Sequence, residues 1–389
     1  MKTLIELYDE RPIENVVASE VFRPERTIFL CPTEVAQNKV LQAKLSEYFV
    51  SKGLNGSLEF WESSMYNSGK LLKQLQNAVK NNKDCAIDIT GGTDAALFAA
   101  GMFCSETNIP VFTYSRKKNR FYNINNAEFA NDKPCTICHT VADCFLMAGG
   151  AMRTGRVDNS VLAGYMEYID GFYKIYLRYR NRWTKIIKYF QTTSQVEKGK
   201  SIPLKVNSEF SVSGDFGKRI DAPEDCLFDL EKLGFLRNVS ISREGVHYEF
   251  MDLQVRSWLR DMGSVLELYI YKAFIDSGHF NEVRTSVVVE WEGESRRDSV
   301  SNEIDVMAMK GIMPIFVSCK TCEIDTDALN ELAILRDRFG GESAKAVIVT
   351  TKNCRNVTRH RAAELDISVI DRNDLTSENI ASIISTLAK

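Results

Sequence analysis

Hydrophobic and polar positions change rhythm twice along the chain. Over residues 1–145, short apolar runs alternate with segments of helical period. The pattern predicts strands at 3–8, 27–31, 57–61, 85–90, 111–114 and 121–124, and helices at 13–21, 34–52, 67–80 and 94–107. Repeated strand–helix units argue for a mostly parallel sheet with helices on both faces, where ligands sit at the carboxyl ends of the strands. Residues 146–200 then read as helical, with 147–152 (M-A-G-G-A-M) as a hinge or linker. Residues 194–221 read as loop or short strands. A helix at 225–234 and a hairpin at 239–243 and 247–251 around Glu244-Gly245 make a winged-helix-like module. It carries no concentrated basic recognition helix, so it is expected to bridge domains. From residue 261 the order is a helix at 264–277, a strand at 283–291, an acidic–basic loop from Glu292 to Asp298, a hairpin, a helix at 327–339, a strand at 346–350, a helix at 357–365 and a strand at 368–370.

The hairpin, residues 302–321, reads N-E-I-D-V-M-A-M-K-G-I-M-P-I-F-V-S-C-K-T. Two apolar runs flank a Lys-Gly turn. Asp305 interrupts the first run and Lys320 ends the second. A lone buried charge is costly unless it is paired or bound to a metal. Strand side chains alternate faces. A loop of Lys310-Gly311 sets Asp305 opposite Phe316, and a loop of 310–313 sets it opposite Ser318. Either even-length loop leaves Asp305, Ser318 and Lys320 on one face. A carboxylate and an ammonium placed this way can hold a divalent cation and position a water for attack on a phosphodiester. An internal Asp–Lys ion pair is the plainer alternative.

This pattern resembles the PD-(D/E)xK restriction-endonuclease superfamily, with Asp305 as the metal aspartate and Lys320 as the lysine. The chain departs from it at Ser318, where the family has Asp or Glu. In that superfamily a helix before the sheet often supplies a Glu to the metal site. Glu267 fits, since Ile270, Tyr271 and Phe274 follow it at i+3, i+4 and i+7 and place it on an apolar face. The resemblance implies Mn²⁺ or Mg²⁺ held by Asp305 and Glu267, with Glu303 and the backbone carbonyl of Cys319 as further ligands. The order αβββαβ matches the nuclease core.

In the first segment, residues 88–94 read D-I-T-G-G-T-D. Two glycines after a strand let the backbone turn tightly and approach a ligand. Thr93 or Asp94 can cap the following helix, whose free N–H groups favour a phosphate. No Gly-Lys-Ser/Thr follows, so this is not a P-loop. A Rossmann-like domain with this loop, joined to a nuclease-like domain, resembles the CARF-domain effectors of type III CRISPR systems. The resemblance implies an α/β chain in three parts: a Rossmann-like CARF domain at 1–145, a helical and winged-helix-like middle segment at 146–260, and a restriction-endonuclease-like domain at 261–389. It implies a homodimer that clasps a cyclic oligoadenylate, with the cyclic tetra-adenylate favoured. The ligand loops would carry Arg11 and Asn15, then Pro32, Thr33 and Glu34, then Thr90, Gly91, Gly92, Thr93 and Asp94. The implied function is a cyclic-oligoadenylate-activated, metal-dependent nuclease acting on single-stranded RNA or DNA. The alternatives are a ligand-responsive nucleic-acid-binding regulator and a decayed nuclease that senses or degrades its own ring.

Composition adds bounds. A chain of 389 residues holds two or three domains, and 44% hydrophobic with 26% charged residues is ordinary for a globular protein. A net charge of −3 gives no global pull towards nucleic acid, so contacts must be local. The basic turn Arg116, Lys117, Lys118 and Arg120 is one candidate, though a solvated hairpin tip is the simpler reading. Aromatics interleaved with basic residues over 161–190 are another, against an amphipathic helix with a core face. No apolar run spans a bilayer and no signal peptide opens the chain, so a cytoplasmic protein with ten reduced cysteines is expected. Cys135-Thr-Ile-Cys138-His139 matches the c-type haem string, and Cys319 and Cys322 form a second C-x-x-C. Buried or half-buried thiols are the expectation for both.

Overall fold

The fold is that of a computed structural model describing residues 1–389 except 81, 83, 156, 197–201, 215–216, 292–299 and 342–343, and except the side chains of Thr154 and Ser377. The expected loop from Glu292 to Asp298 lies outside the described residues.

The first sheet is built from β1 (Thr3–Leu7), β2 (Arg26–Cys31), β3 (Ser57–Glu62), β4 (Cys85–Asp88), β5 (Val111–Ser115), β6 (Arg120–Asn125) and β7 (Lys133–Pro134), in the order β3-β2-β1-β4-β5-β6-β7. The first five run parallel, and β6 and β7 are antiparallel additions. Strand β1 is buried along its whole length, as an inner strand covered by helices on both faces must be. Strand order reverses between β1 and β4. The crevice beyond their carboxyl ends is where such a sheet takes a ligand. The helix expected at 34–52 is split into Thr33–Gln37 and Lys39–Ser51, because the Asn38 side chain accepts the Leu41 N–H and caps a new helix. The strand expected to reach residue 90 ends at Asp88, whose carboxylate accepts the N–H and hydroxyl of Thr90 and turns the chain.

The expected linker takes part in the second sheet. After the helix Val141–Met147, residues Ala151–Thr154 form β8, which pairs antiparallel with a strand far along the chain. The middle part holds the helices Met166–Tyr179, Trp183–Thr193 and Glu224–Leu233. It also holds β9 (Lys205–Ser208), a small pair β10 (Ser211–Ser213) and β11 (Arg219–Asp221), and the wing β12 (Leu236–Ser242) and β13 (Gly245–Phe250). The aromatic row over 161–190 is core: Phe172, Tyr173, Tyr176 and Trp183 are buried, and Tyr173 stacks on Tyr269 of the next part.

The second sheet adds β14 (Glu282–Glu290), β15 (Ser301–Lys310), β16 (Met313–Lys320), β17 (Lys345–Thr350) and β18 (Ile367–Ile370), in the order β18-β17-β16-β15-β14-β8. One face packs against the helices Ser264–Asp276 and Ser377–Leu387. The other packs against Thr326–Gly340 and against the helix Val141–Met147, through Cys144 and Phe145.

One buried pair sits directly under the glycine loop. Glu6 and Asp88 are register partners on β1 and β4, and both are buried. Burial pushes the Asp88 carboxyl up to about 7 and, with the Asp88 charge beside it, raises Glu6 well above its ordinary range. A carboxyl raised in the folded state stabilises most when protonated, so stability falls as pH climbs from about 4 towards Asp88's value near 7. Asn in place of Asp88 keeps an acceptor for Thr90 and a donor for Glu6 without the charge. Asp88→Asn is therefore expected to raise the thermal midpoint at pH 8 and to leave it nearly unchanged at pH 4. A pH series of melting curves reads this, and an equal shift at both pH values would refute it.

Candidate functional site

The hairpin β15–β16 turns on Gly311-Ile312, with Gly311 in the left-handed region at φ 58°. Its register pairs Lys310 with Met313 and Val306 with Val317. Continued by one residue, it sets Asp305 opposite Ser318, the second of the two geometries read from the sequence. The Ser318 hydroxyl lies 3.3 Å from Asp305 Oδ2, and the Cys319 N–H donates to the same oxygen at 2.6 Å. Burial pushes the Asp305 carboxyl up to about 6; the Cys319 N–H and the Lys320 ammonium pull against it, and the Glu303 charge adds to it. Asp305 and Lys320 thus act on each other across the hairpin.

Glu267 arrives from the preceding helix. Asp261 Oδ2 accepts the N–H groups of Gly263 and Ser264 and so starts the helix Ser264–Asp276, with Glu267 in its first turn. The buried Cys319 thiol lies within the fields of Asp305, Glu267 and Lys320: burial raises it most, the two carboxylates add, and the ammonium opposes. The helix carboxylate expected from the sequence is therefore within electrostatic reach of the Cys319 thiol, the residue between Ser318 and Lys320. Glu303, two residues before Asp305, accepts a hydrogen bond from Ser286.

Among the described residues, no three His, Cys, Asp or Glu side chains converge as a ready-made cation cage. The donors present still fit a hard divalent ion. Mg²⁺ and its analogues keep several waters and take one or two carboxylates plus substrate phosphate. A half-buried carboxyl raised by burial is one that a cation would stabilise in its charged form.

Lys320 ends its strand level with two other chain turns. Thr351 N–H donates to the Lys320 carbonyl at 3.2 Å, and Arg372 N–H donates to the Lys352 carbonyl at 3.1 Å. The turns that carry the exposed residues Lys352 and Arg372 therefore lie next to the end of the Lys320 strand, a placement that the parallel β16-β17-β18 order brings about.

The crevice of the first sheet is a cavity of about 1220 Å³. Of the ligand residues expected from the sequence, Arg11, Pro32, Thr33, Glu34, Gly92 and Thr93 line it. Four do not. Asn15 is buried behind the loop, where its amide bonds the N–H and carbonyl of Asp9. Thr90 is spent on Asp88 and on the Tyr114 N–H. Gly91 lies against Asp9 and Leu7, where a side chain would meet the Leu7 carbonyl at 2.9 Å. Asp94 opens the helix outside the cavity. Asp9 orders this wall, gripping Arg11 with both oxygens and accepting the Gly92 N–H. Sequence reasoning missed the opposite wall. Tyr66 there is 81% exposed, and Lys70, Lys73 and Asn77 follow on the helix Ser68–Lys80. The spacing i, i+3, i+7 was the available signal.

Two other features resolve differently. Arg116 is not a solvated tip residue; it pairs with buried Glu14. His139 is buried, sharing Nε2 with Glu20 and Tyr48; all ten cysteines are free thiols as expected, but in each C-x-x-C pair only the first, Cys135 or Cys319, is buried, while Cys138 and Cys322 are exposed. No helix among the described residues is long and apolar enough to cross a membrane.

With this geometry in place, likeness to known proteins is informative. Residues 255–385 match the family model of the Card1-like endonuclease domain. The whole chain superposes on protein VC1899 from Vibrio cholerae with a TM-score of 0.75 at 18% identity, covering 99% of this chain and 97% of that one. It superposes on Can2 from Sulfobacillus thermosulfidooxidans, solved in complex with cyclic tetra-adenylate, with a TM-score of 0.71 at 16% identity, covering 98% and 99%. No curated protein matches the chain. Residues 255–385 thus resemble an endonuclease domain of the Card1-like kind, set in a chain that shares its whole fold with Can2.

Proposed function

We propose that this protein is a nuclease switched on by a cyclic oligoadenylate, the tetramer first among candidates, in type III CRISPR defence, and that it cuts single-stranded nucleic acid with Mn²⁺ or Mg²⁺. The observation that carries the reading is the pairing of two sites in one chain. A cavity at the switch point of a Rossmann-like sheet stands on one side, and a carboxylate–lysine hairpin in an endonuclease domain on the other. Support for the ring comes from Can2, whose structure holds cyclic tetra-adenylate.

In this reading two copies of the chain face each other across a two-fold axis, and each cavity gives the ring half of its contacts. Phe98 and Met102, exposed at 66% and 42% on the helix that leaves the glycine loop, offer an apolar face to the second copy. Lys70 and Lys73 meet ring phosphates and Tyr66 stacks on a base. The compartment is the cytoplasm, where the thiols stay reduced.

At the nuclease site, Asp305 and Glu267 hold the cation, with Glu303 and the Cys319 carbonyl as further ligands. Bound there, the ion supplies Lewis-acid polarisation of the scissile phosphate and lowers the pKa of a water. Lys320 would orient the attacking water and offset the negative charge that builds on the non-bridging phosphate oxygens. Asp305 keeps its carboxylate aimed through the Cys319 N–H. Ser318 brings a hydroxyl where a second carboxylate would stand, so the site leans on Glu267 and Glu303 for charge.

Three measurements test the reading. Asp305→Ala and Lys320→Ala should each lower cleavage about a hundredfold or more and still bind the ring; unchanged cleavage in both removes the site. Cyclic tetra-adenylate at a hundredfold excess over Kd should stabilise the fold by roughly 2.7 kcal/mol in thermal melts. Lys70→Glu combined with Lys73→Glu should erase that shift, and a shift that survives moves the ring elsewhere. Finally, joint Lys352→Ala and Arg372→Ala should flatten the salt dependence of single-strand binding by roughly 0.7 log units per log salt for each phosphate no longer neutralised. An unaltered slope would place the strand on another face.

A further inference from the structure

Strands β14 and β15 pair from Glu282 with Met309 to Glu290 with Ser301 in one unbroken register, with a single missing rung: Ser286 opposite Asp305. Ser286 is 1% exposed and has φ 54°, a left-handed conformation inside a strand. Such a residue is an outlier unless its surroundings hold it there. Its effect is to reverse the pleat. Residues two apart on a strand share a face, yet Val283 packs in one core and Val287 in the other. The partner strand reverses at the same level: Val306 and Ala308 lie in the first core, Ile304 in the second. Asp305 sits where the two faces exchange. Its carboxylate can therefore turn across the ladder to the Cys319 N–H instead of standing in an apolar layer.

The surroundings that hold Ser286 are specific. The Gly155 N–H donates to the Ser286 carbonyl at 3.0 Å. Any side chain at 155 would strike that carbonyl, since a Cβ there would overlap its oxygen. The Ser286 hydroxyl donates to Glu303 Oε1 at 2.5 Å. Beside it, the Thr285 hydroxyl donates to the Asp305 carbonyl at 2.7 Å. Strand β8 leaves the edge of β14 just here, and the side chain of Asn159 takes over from it. Asn159 Nδ2 donates to the Thr285 carbonyl at 2.8 Å, and its Oδ1 accepts the Thr285 N–H at 2.9 Å. An amide side chain thereby stands in for the missing strand.

We infer that Thr285 and Ser286, clamped by Gly155 and Asn159, are positioning residues that aim Asp305 and Glu303 for cation binding. The inference rests on the reading of those two carboxylates as ligands given above. It makes Gly155 and Asn159, on the chain path from the first sheet to the middle helices, part of the nuclease site's support. Partners that orient metal ligands commonly change metal affinity about 10–100-fold when removed.

The test is a pair of substitutions at one position, read by Mn²⁺ binding to full-length protein without substrate, followed by electron paramagnetic resonance. Thr285→Val keeps the shape and β-branching and loses the hydroxyl; Thr285→Ser keeps the hydroxyl and loses the branch. Positioning predicts that Val weakens Mn²⁺ binding about tenfold and lowers kcat with KM unchanged, while Ser stays near wild type. A role in packing alone predicts the reverse, with Val harmless and Ser lowering the melting temperature. Equal behaviour of the two, or unaltered Mn²⁺ binding in Thr285→Val, overturns the inference. Ser286→Gly gives a second reading: it relieves the left-handed residue, so the melting temperature should hold or rise while Mn²⁺ binding falls. Asp305→Ala separates the two layers. If it binds Mn²⁺ as wild type does, the ligand assignment fails and the positioning role with it. If it loses Mn²⁺ and Thr285→Val does not, only the positioning role fails.

Discussion

A carboxylate set inside an apolar sheet must be compensated on the spot, and the region from residue 255 onward is arranged around that need. Asp305 sits between layers of Val, Ile, Met and Phe, and desolvation works against its charge. The Cys319 N–H and the Lys320 ammonium offset part of this penalty and leave a carboxyl still raised. A group left half-compensated by its own protein is completed by a cation or a proton. The same tension explains the broken pleat: a regular strand would place this side chain on a greasy face.

The two sheets touch at places that both sites depend on. Gly341 ends the helix Thr326–Gly340 against the short turn Pro12–Asn15; a side chain there would sit 3.5 Å from Glu14. That turn follows Asp9 and Arg11, which form one wall of the cavity. The helix packs on the strand that ends in Lys320. At the far end of the hairpin, the Gly311 carbonyl accepts the His139 N–H, and Asn281 bonds both Gly311 and His139. The first contact joins the cavity wall to the strand of Lys320, and the second ties the hairpin turn to the segment at His139.

Much of this was legible in the residues. The alternation of strands and helices over the first 125 positions reads cleanly because each βα unit is local. The hairpin's two even-length turns both kept Asp305, Ser318 and Lys320 on one face, so the contact between Asp305 and Ser318 was within reach despite ambiguity in the register. Glu267 stood out because an acidic residue on an apolar face needs a reason. The rest depended on long-range partners. Ala151–Thr154 is too short to announce a strand, and only β14 makes it one. The turns that carry Lys352 and Arg372 lie next to the end of the Lys320 strand through the parallel strand order, which no periodicity reports. Asn15, Thr90 and Gly91 lie next to the ligand loop in sequence, but they hold the loop's backbone from behind instead of facing the cavity.

The edge strand β8 has a consequence for how the chain can be cut. It and the helix before it come from the far side of the middle helices, yet Phe145 and Cys144 fill one core of the second sheet and residues 151–154 cover the outer side of β14. A fragment beginning near residue 255, where the family match starts, would lack both. Its β14 would present bare N–H and C=O groups beside an apolar hollow, an open template for pairing with other chains. Autonomy in sequence comparison and autonomy in folding therefore part company here: the smallest self-sufficient piece has to carry its own N-terminal cover.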